Sequence, residues 1–416
     1  MPTSSDSFAT KTSGVAPIEP PVLSDGVVRL RALSEADLHA VVEQCRDSEV
    51  IRFTTIPLEY GPPQAQEFLA SVRADWSDRS GTTARTWAID VARPRSGQPS
   101  GSSVSGAWQF AGTTAYRPDG PGTANVGYLV HPAARGAGVA SRALRLLVDH
   151  LFADETQQVL HWRAITGNWA SRRVAWSCGF RFEGLQRASI DDRGSSVDAW
   201  VASLHRDEPR RPVQAWWRTP RLDGDGVVLR PWRDDDGDRL PAVRDEVAQR
   251  FLGEIVPTSG SFTAWWSEVQ EFQAAGDQVS WCLADPVTDE VLGGMQVFRL
   301  TDPRSGHGRF GYWLIESARG RGVIARAATA ALGWAFTPHS DGGPGLLAVS
   351  AGADVANTPS IRCLHRAGFR DVGVRRRAGV RPDGTVVDLL DVDLLEQDRR
   401  AGERCGVNGP AAPSPR

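Results

Sequence analysis

The chain is 416 residues long, with 41% hydrophobic and 23% charged residues and a formal net charge of −3 at pH 7. That length exceeds one ordinary core and predicts two or three domains of a globular protein, while the near-neutral charge supplies no basic surface for nucleic acid. No apolar run reaches the ~18 residues of a membrane span, and residues 1–14 lack the apolar core of a signal peptide, so the expectation is a cytoplasmic protein without membrane contact. Cys45, Cys178, Cys282, Cys363 and Cys405 are scattered and lack Cys-x-x-Cys spacing. They indicate neither a disulfide framework nor a metal site, and each reads as a small buried hydrophobe.

Residues 1–20 are rich in Ser, Thr, Ala and Pro without periodicity and predict a disordered tail. Alternation at 26–33 predicts a strand, and Ser34 followed by Glu35 and Asp37 reads as a helix start whose apolar face is Leu38, Val41, Val42 and Cys45. Pro62-Pro63 opens a second helix with Ala65, Phe68, Leu69, Val72 and Trp76 on one face, and strands follow at 86–91 and 103–110 around a Pro/Gly/Ser turn. Val126-Gly-Tyr-Leu-Val130 is an apolar strand stopped at His131-Pro132, because proline disfavours helical geometry in the residue before it. Ala140, Ala143, Leu144, Leu147 and Leu151 then keep the spacing of one helical face. A strand at 159–165, a short helix near 170–177 stopped by Gly179, and a hairpin around 191–194 complete the unit. Residues 206–220, proline-punctuated and carrying Trp216-Trp217, are expected to be a linker with the tryptophan pair packed on a neighbouring domain.

The pattern then restarts. Asp225-Gly-Val-Val228 repeats Asp25-Gly-Val-Val28, and Phe262, Trp265, Trp266, Val269 and Phe272 repeat the second helix. Gly311-Tyr-Trp-Leu314 answers Gly127-Tyr-Leu-Val130, Arg319-Gly-Arg-Gly-Val323 answers Arg135-Gly-Ala-Gly-Val139, and Ile324, Ala327, Ala328, Ala331 and Ala335 form the matching helix face. Asn168-x-x-Ser171 and Gly179-Phe180 have partners in Asn357-x-x-Ser360 and Gly368-Phe369, with Asn lying 11 residues before Gly in both halves. This is an internal duplication of a unit of roughly 180 residues, each copy large enough for its own core. Residues 398–416 predict a second disordered tail.

Between strand and helix, Gly136 and Gly138 allow torsions that side chains forbid, so several N–H groups can converge at the helix N-terminus. Such a cradle suits an anion, phosphate above all. Arg135-x-x-Gly138-x-Ala140 in this strand–helix setting, with Asn168-x-x-Ser171 and Gly179-Phe180 downstream, resembles the GNAT superfamily of acyl-CoA-dependent N-acetyltransferases. The Asn-x-x-Ser and Gly-Phe spacing, with the run from Gly311 to Gly322, is similar to the ribosomal-protein alanine acetyltransferase (RimJ/RimL-like) branch, and the resemblance covers about 25–205 and 221–395.

The resemblance implies an α/β (α+β) fold of two tandem domains, 21–205 and 221–397, each a strongly bent mixed sheet flanked by helices, with central strands that splay to admit the cofactor. It implies acetyl-CoA as cosubstrate and no metal. The backbone at Leu129 and Val130 would pair with the pantetheine arm, and amides of Arg135, Gly136, Ala137, Gly138, Val139 and Ala140 would hold the pyrophosphate. Asn168 and Ser171 would sit near the thioester. The second set is Trp313 and Leu314, then Arg319, Gly320, Arg321, Gly322, Val323 and Ile324, then Asn357 and Ser360. One departure stands out: where the pattern has Gly or Ala, as at Ala140, the second half has Ile324, whose β-branched side chain would crowd the phosphates.

The chemistry implied is attack of a neutral primary amine on the acetyl thioester. Alkyl ammonium groups hold their proton at pH 7 and a terminal α-amine less tightly, so a base must remove a proton and an acid should protonate the departing thiolate. Ser171 and Ser360 are the candidates for thiolate stabilisation, and the base is not identifiable. His131 is replaced by Ile315 in the second half and Glu316 by Pro132 in the first, so these read as strand-end and turn residues. Asp198 and Asp388, equivalently placed after the hairpins, would set the hairpin or face an amine. The expected acceptor is a protein or peptide N-terminus or a small amine. The alternative is one catalytic half, the other a degenerate domain binding acyl-CoA or substrate. A tRNA-dependent transferase of the Fem type is disfavoured by the lack of a basic surface.

Overall fold

The computed structural model describes residues 19–92, 107–153, 156–301 and 306–399. The predicted tails lie almost entirely outside the described residues, as do Cys405 and the first part of the strand predicted at 103–110. The chain divides into two compact units, Met1–Val213 and Gln214–Arg416.

In the first unit the strands are β1 (Leu23–Ser24), β2 (Val28–Arg31), β3 (Arg85–Ala92), β4 (Trp108–Gly120), β5 (Thr123–Val130), β6 (Val159–Ile165), β7 (Arg181–Asp192) and β8 (Ser195–His205). The helices are α1 (Leu38–Cys45), α2 (Ser48–Phe53), α3 (Pro62–Ser77), α4 (Val139–Ala153) and α5 (Trp169–Ser177). The eight strands form one sheet in the order β1-β2-β3-β4-β5-β6-β8-β7. Alternation decides which face of β2 is buried: Val28 and Leu30 enter the core, while Arg29 and Arg31 turn to Asp90 on β3. Arg31 also grips Asp37, which accepts the Ser34 amide and holds the turn into α1. Helix α4 buries Ala143, Leu144, Leu147, Val148 and Leu151 against the sheet, at about 2 kcal/mol for each fully covered leucine.

The β5–β6 pair is parallel, and its register runs only from Thr123 opposite Val159 to Val126 opposite Trp162. Beyond that point the two strands separate, as a central splay requires. Further along the separated stretch, opposite Val130, β4 carries a bulge, where Gly112 has φ +146° and a Cβ would lie 2.1 Å from the Leu129 carbonyl oxygen. Only glycine permits that approach.

The second unit repeats the plan with β9 (Leu222–Gly224), β10 (Val227–Arg230), β11 (Gln278–Ala284), β12 (Val291–Phe298), β13 (His307–Leu314), β14 (Ala348–Asp354), β15 (Arg370–Val380) and β16 (Val386–Leu395). Its helices are α6 (Glu246–Phe251), α7 (Phe262–Ala274), α8 (Val323–Ala335) and α9 (Thr358–Arg366), and its sheet runs β9-β10-β11-β12-β13-β14-β16-β15. Parallel pairing of β13 with β14 ends at Arg309 opposite Ser350. Gly293 is the bulge glycine here, its hypothetical Cβ 2.2 Å from the Trp313 carbonyl oxygen. Arg230, 2% exposed, grips Asp236 through both carboxylate oxygens as Arg31 grips Asp37. In each unit a buried tryptophan donates to a proline carbonyl ahead of the first strand, Trp87 to Pro21 and Trp281 to Pro220.

Helices α2 and α6 stand where no element was predicted, and Asp47 and Asp245 cap them: the Asp47 carboxylate accepts the Val50 amide, and that of Asp245 accepts those of Val247 and Ala248. Strand β4 continues to Gly120, past the predicted end at 110. The stretch read as a linker is held at both ends: Arg206 donates to Gln157 O and Glu208 pairs with Arg181 in the first unit, while Gln214 donates to Ala274 O and Trp217 to Gly276 O in the second. Trp217 packs edge-on against Trp334. Cys45, Cys178 and Cys282 are buried and Cys363 is partly so, and burial pushes the Cys45 and Cys178 thiols up to about 11. No helix of the described residues is long and apolar enough to cross a membrane.

Candidate active sites at the two splayed strands

In the first unit the turn ahead of α4 places Gly136 at φ 78° and Gly138 at φ 72°, both left-handed. A Cβ on either would meet nothing within 4 Å, so glycine is required there by torsion and not by crowding. Among the described residues, no acceptor pairs with the amides of 136–141, whereas the Arg135 amide is already bonded to Pro132 O. The Arg135 guanidinium turns away from this cradle and pairs with Asp47, the cap of α2. The second unit does the same: Gly320 at φ 72° and Gly322 at φ 71° open α8, the Arg319 amide is bonded to Glu316 O, and amides 320–325 lack an acceptor among the described residues. Arg319 pairs with both oxygens of Asp245 at 2.7 Å. That hydrogen bond is the chief reason the Asp245 carboxyl is held below its ordinary range, and Arg135 does the same to Asp47. The Arg135 and Arg319 side chains therefore tie each turn to the cap of a neighbouring helix, and the amides without an acceptor among the described residues begin at Gly136 and Gly320.

Ile324 does not crowd the turn. Its side chain is 3% exposed and belongs to the core cluster with Val323, Ala327 and Ala328. That is the face on which the helical spacing places it, with Ala327, Ala328, Ala331 and Ala335.

Asn168 caps α5 and Asn357 caps α9, each through its side-chain oxygen accepting the amide of the serine three residues on, at 3.0 Å to Ser171 and 3.2 Å to Ser360. Each serine meets a tyrosine from the splayed strand, a residue given no role by sequence reasoning. Tyr128 donates to Ser171 O at 2.7 Å and accepts from Ser171 Oγ at 3.1 Å. Tyr312 donates to Ser360 O at 3.1 Å and lies 2.9 Å from Ser360 Oγ. Burial raises both phenol pKa values, so both tyrosines are neutral at physiological pH. The signal was the Gly-Tyr dipeptide at the same place in both halves.

The two sites then diverge. Trp162, buried and level with the end of parallel pairing, donates its indole N–H to Ser171 Oγ at 3.2 Å. By register its counterpart is Ala351, and no indole reaches Ser360 there. A cavity of about 620 Å³ opens in the second unit, reached by Tyr312, Asn357 and Ser360. Trp265, Trp313 and Phe272 line it, with Glu254, Glu268 and Asp354 as its carboxylates. Glu254 pairs with Arg244 and Asp354 with Arg381, while Glu268 has no ion-pair partner among the described residues.

The remaining candidates lie elsewhere. Glu316 is exposed and caps nothing with its side chain. His131 Nδ1 accepts the Ala133 amide at 3.3 Å, while Nε2 lies 3.4 Å from Glu43. Asp198 and Asp388 set the hairpins: each accepts the amide of a left-handed bulge residue, Ala188 at 2.8 Å and Arg377 at 2.7 Å. Leu129 and Val130 pair with Thr113 and Gly112 on one side only, as Trp313 and Leu314 do with Gly294 and Gly293, which leaves their other edge facing the splay. The Trp313 side chain is buried and stacked on Trp232.

Among solved structures the chain is similar to Mycobacterium smegmatis RimJ in complex with CoA-disulfide, at 19% identity over 46% of this chain and 90% of that one, with a TM-score of 0.37. It is likewise similar to RimL, the ribosomal L7/L12 alpha-N-protein acetyltransferase in complex with coenzyme A, at 17% identity over 44% of this chain and 98% of that one, TM-score 0.37. A third likeness is to the microcin C7 self-immunity acetyltransferase MccE in complex with acetyl-CoA and AMP, at 16% identity over 44% and 98%, TM-score 0.36. No curated protein matches the sequence. The model of the acetyltransferase (GNAT) domain matches residues 28–181 and again 227–370, well over half of the sequence. With that domain present twice, the chain belongs to the GNAT acetyltransferase family.

Proposed function

We propose that the protein transfers an acetyl group from acetyl-CoA to a primary amine, and that the second unit is the principal catalytic one. The observation that carries this reading is the cavity at the β13–β14 opening, where the Tyr312 and Ser360 hydroxyls meet, in a unit that also carries a turn of free amides. The residues fit coenzyme A: left-handed glycines and unpaired amides for the pyrophosphate, and strand edges at Leu129, Val130, Trp313 and Leu314 for the pantetheine. In the transfer, the amine nitrogen bonds to the acetyl carbon, the carbon–sulfur bond breaks, the amine loses a proton and the thiolate gains one. Tyr312, kept protonated by burial and oriented by Ser360, is the proton donor to sulfur. Glu268, the cavity carboxylate without an ion pair, is the group to which the amine proton passes.

A second reading, that one half binds without catalysing, is favoured for the first half by Trp162, which already occupies the Ser171 hydroxyl. Incubation of the protein with acetyl-CoA and an amine library, read by release of the CoA thiol, tests the activity. Turnover that disappears in Gly322→Glu supports the assignment. Absence of saturable acetyl-CoA binding by the wild type would overturn it.

A further inference from the structure

Arg309 is a half-buried guanidinium on the wall of the second unit's cavity, and among the described residues no carboxylate or carbonyl is bonded to it. It projects from β13 opposite Phe298 on β12 and Ser350 on β14. Gly352 makes room for it: a Cβ there would lie 3.3 Å from Arg309 Nη2 and 3.3 Å from Asp391 Oδ1. Asp391 is the nearby counter-charge, yet both of its oxygens are taken by Arg375. Burial, and after it the neighbouring Arg299, makes the protonated guanidinium less favourable than a free one. A charged fork with five donors and no acceptor, partly withdrawn from water, is a site awaiting an anion.

The duplicate supplies a contrast. At the equivalent position the first unit has Asn125, which donates to Asp119 at 2.6 Å, and in place of Gly352 it has Arg163. Neither the cation nor the space beside it is needed for the fold, since the first unit builds the same sheet without them.

We infer that Arg309 binds a carboxylate on the acceptor, so that the molecule acetylated in the second unit carries both a primary amine and a carboxylate on an apolar body. The inference rests on reading this cavity as the acceptor site. A monoanion suits it better than a phosphate, because Glu268, the lining carboxylate without an ion pair among the described residues, would repel a dianion more strongly. Glu268 complements the ammonium end of the ligand, and Trp265, Phe272 and Phe298 its apolar body.

The test uses the full chain and two matched pairs of probes, benzylamine against 4-(aminomethyl)benzoate, and Ala-Ala-amide against Ala-Glu-amide, to separate a small acid from an acidic peptide. With acetyl-CoA, kcat/KM for the carboxylated member of at least one pair is expected to exceed its partner by about 10-fold. In Arg309→Leu the ratio falls toward one, and in Arg309→Lys part of it returns. A wild-type ratio near one in both pairs, or a ratio unchanged in Arg309→Leu, overturns the inference. Calorimetric titration of the same probes without acetyl-CoA keeps it separate from the proposed activity. Binding of a carboxylated probe that is about 10-fold tighter than its partner and is lost in Arg309→Leu supports the anion site even if no transfer occurs, whereas equal or absent binding of both pairs overturns it.

Discussion

Ser171 and Ser360 are the same residue in two copies of one motif, yet their hydroxyls have different partners. Ser171 Oγ is shared between Tyr128 and Trp162, while Ser360 Oγ has Tyr312 alone among the described residues. A hydroxyl already engaged as donor and acceptor has little left for a thiolate. Tyr312→Phe is therefore expected to lower kcat roughly 10- to 100-fold, and Tyr128→Phe to change it about twofold or less, in steady-state assays of CoA release. Asp245 offers a second test. Its carboxyl is lowered chiefly by the hydrogen bond from Arg319, so its contribution to stability is complete above the ordinary carboxylate range and is lost as pH falls through its folded value. Asp245→Asn should lower unfolding free energy by about 1–2 kcal/mol near neutral pH, and the gap from wild type should close in acid, as urea titrations at the two pH values would record. At this scale the sequence disclosed that Asn168 and Ser171 recur as Asn357 and Ser360. It did not disclose Tyr128, because the contact with Ser171 joins residues 43 apart through the separation of two strands.

The long helices were legible as elements, since α3 and α4 bury Leu69, Val72 and Trp76, or Leu144, Leu147 and Leu151, at the helical period. The six-residue helices α2 and α6 were not, because so short a segment has no period and is held by a capping Asp that a distant arginine also grips. The bulges of β4 and β12 were equally hidden: Gly112 and Gly293 look like ordinary strand glycines until the neighbouring strand's carbonyl is placed against them. Gly112→Ala and Gly293→Ala are each expected to destabilise their unit by about 2–4 kcal/mol, lowering its melting temperature by roughly 5–15 °C in calorimetric scans. The same substitution at Gly127, where a Cβ meets nothing within 4 Å, should shift it by only a degree or two.

At the scale of the whole molecule the duplication predicts two phosphate cradles and one dominant reaction centre. Isothermal titration with CoA should count two sites, with Gly138→Glu removing one and Gly322→Glu the other. Turnover, in contrast, should fall by more than about 10-fold only in Gly322→Glu, because only the second unit leaves Ala351 where Trp162 stands. Equal losses in the two variants would show both halves to be equally catalytic. By itself the sequence determined the doubled architecture, the family and the glycine turns, since periodicity, glycine torsion and motif spacing are local properties that survive without a fold. Only the tertiary structure decided that Arg135 and Arg319 grip helix caps, and that Arg309 stands beside Gly352 without an acceptor among the described residues. These depend on how strands register and helices rotate on the sheet, and on which residues, remote in sequence, are thereby brought within reach of one charge.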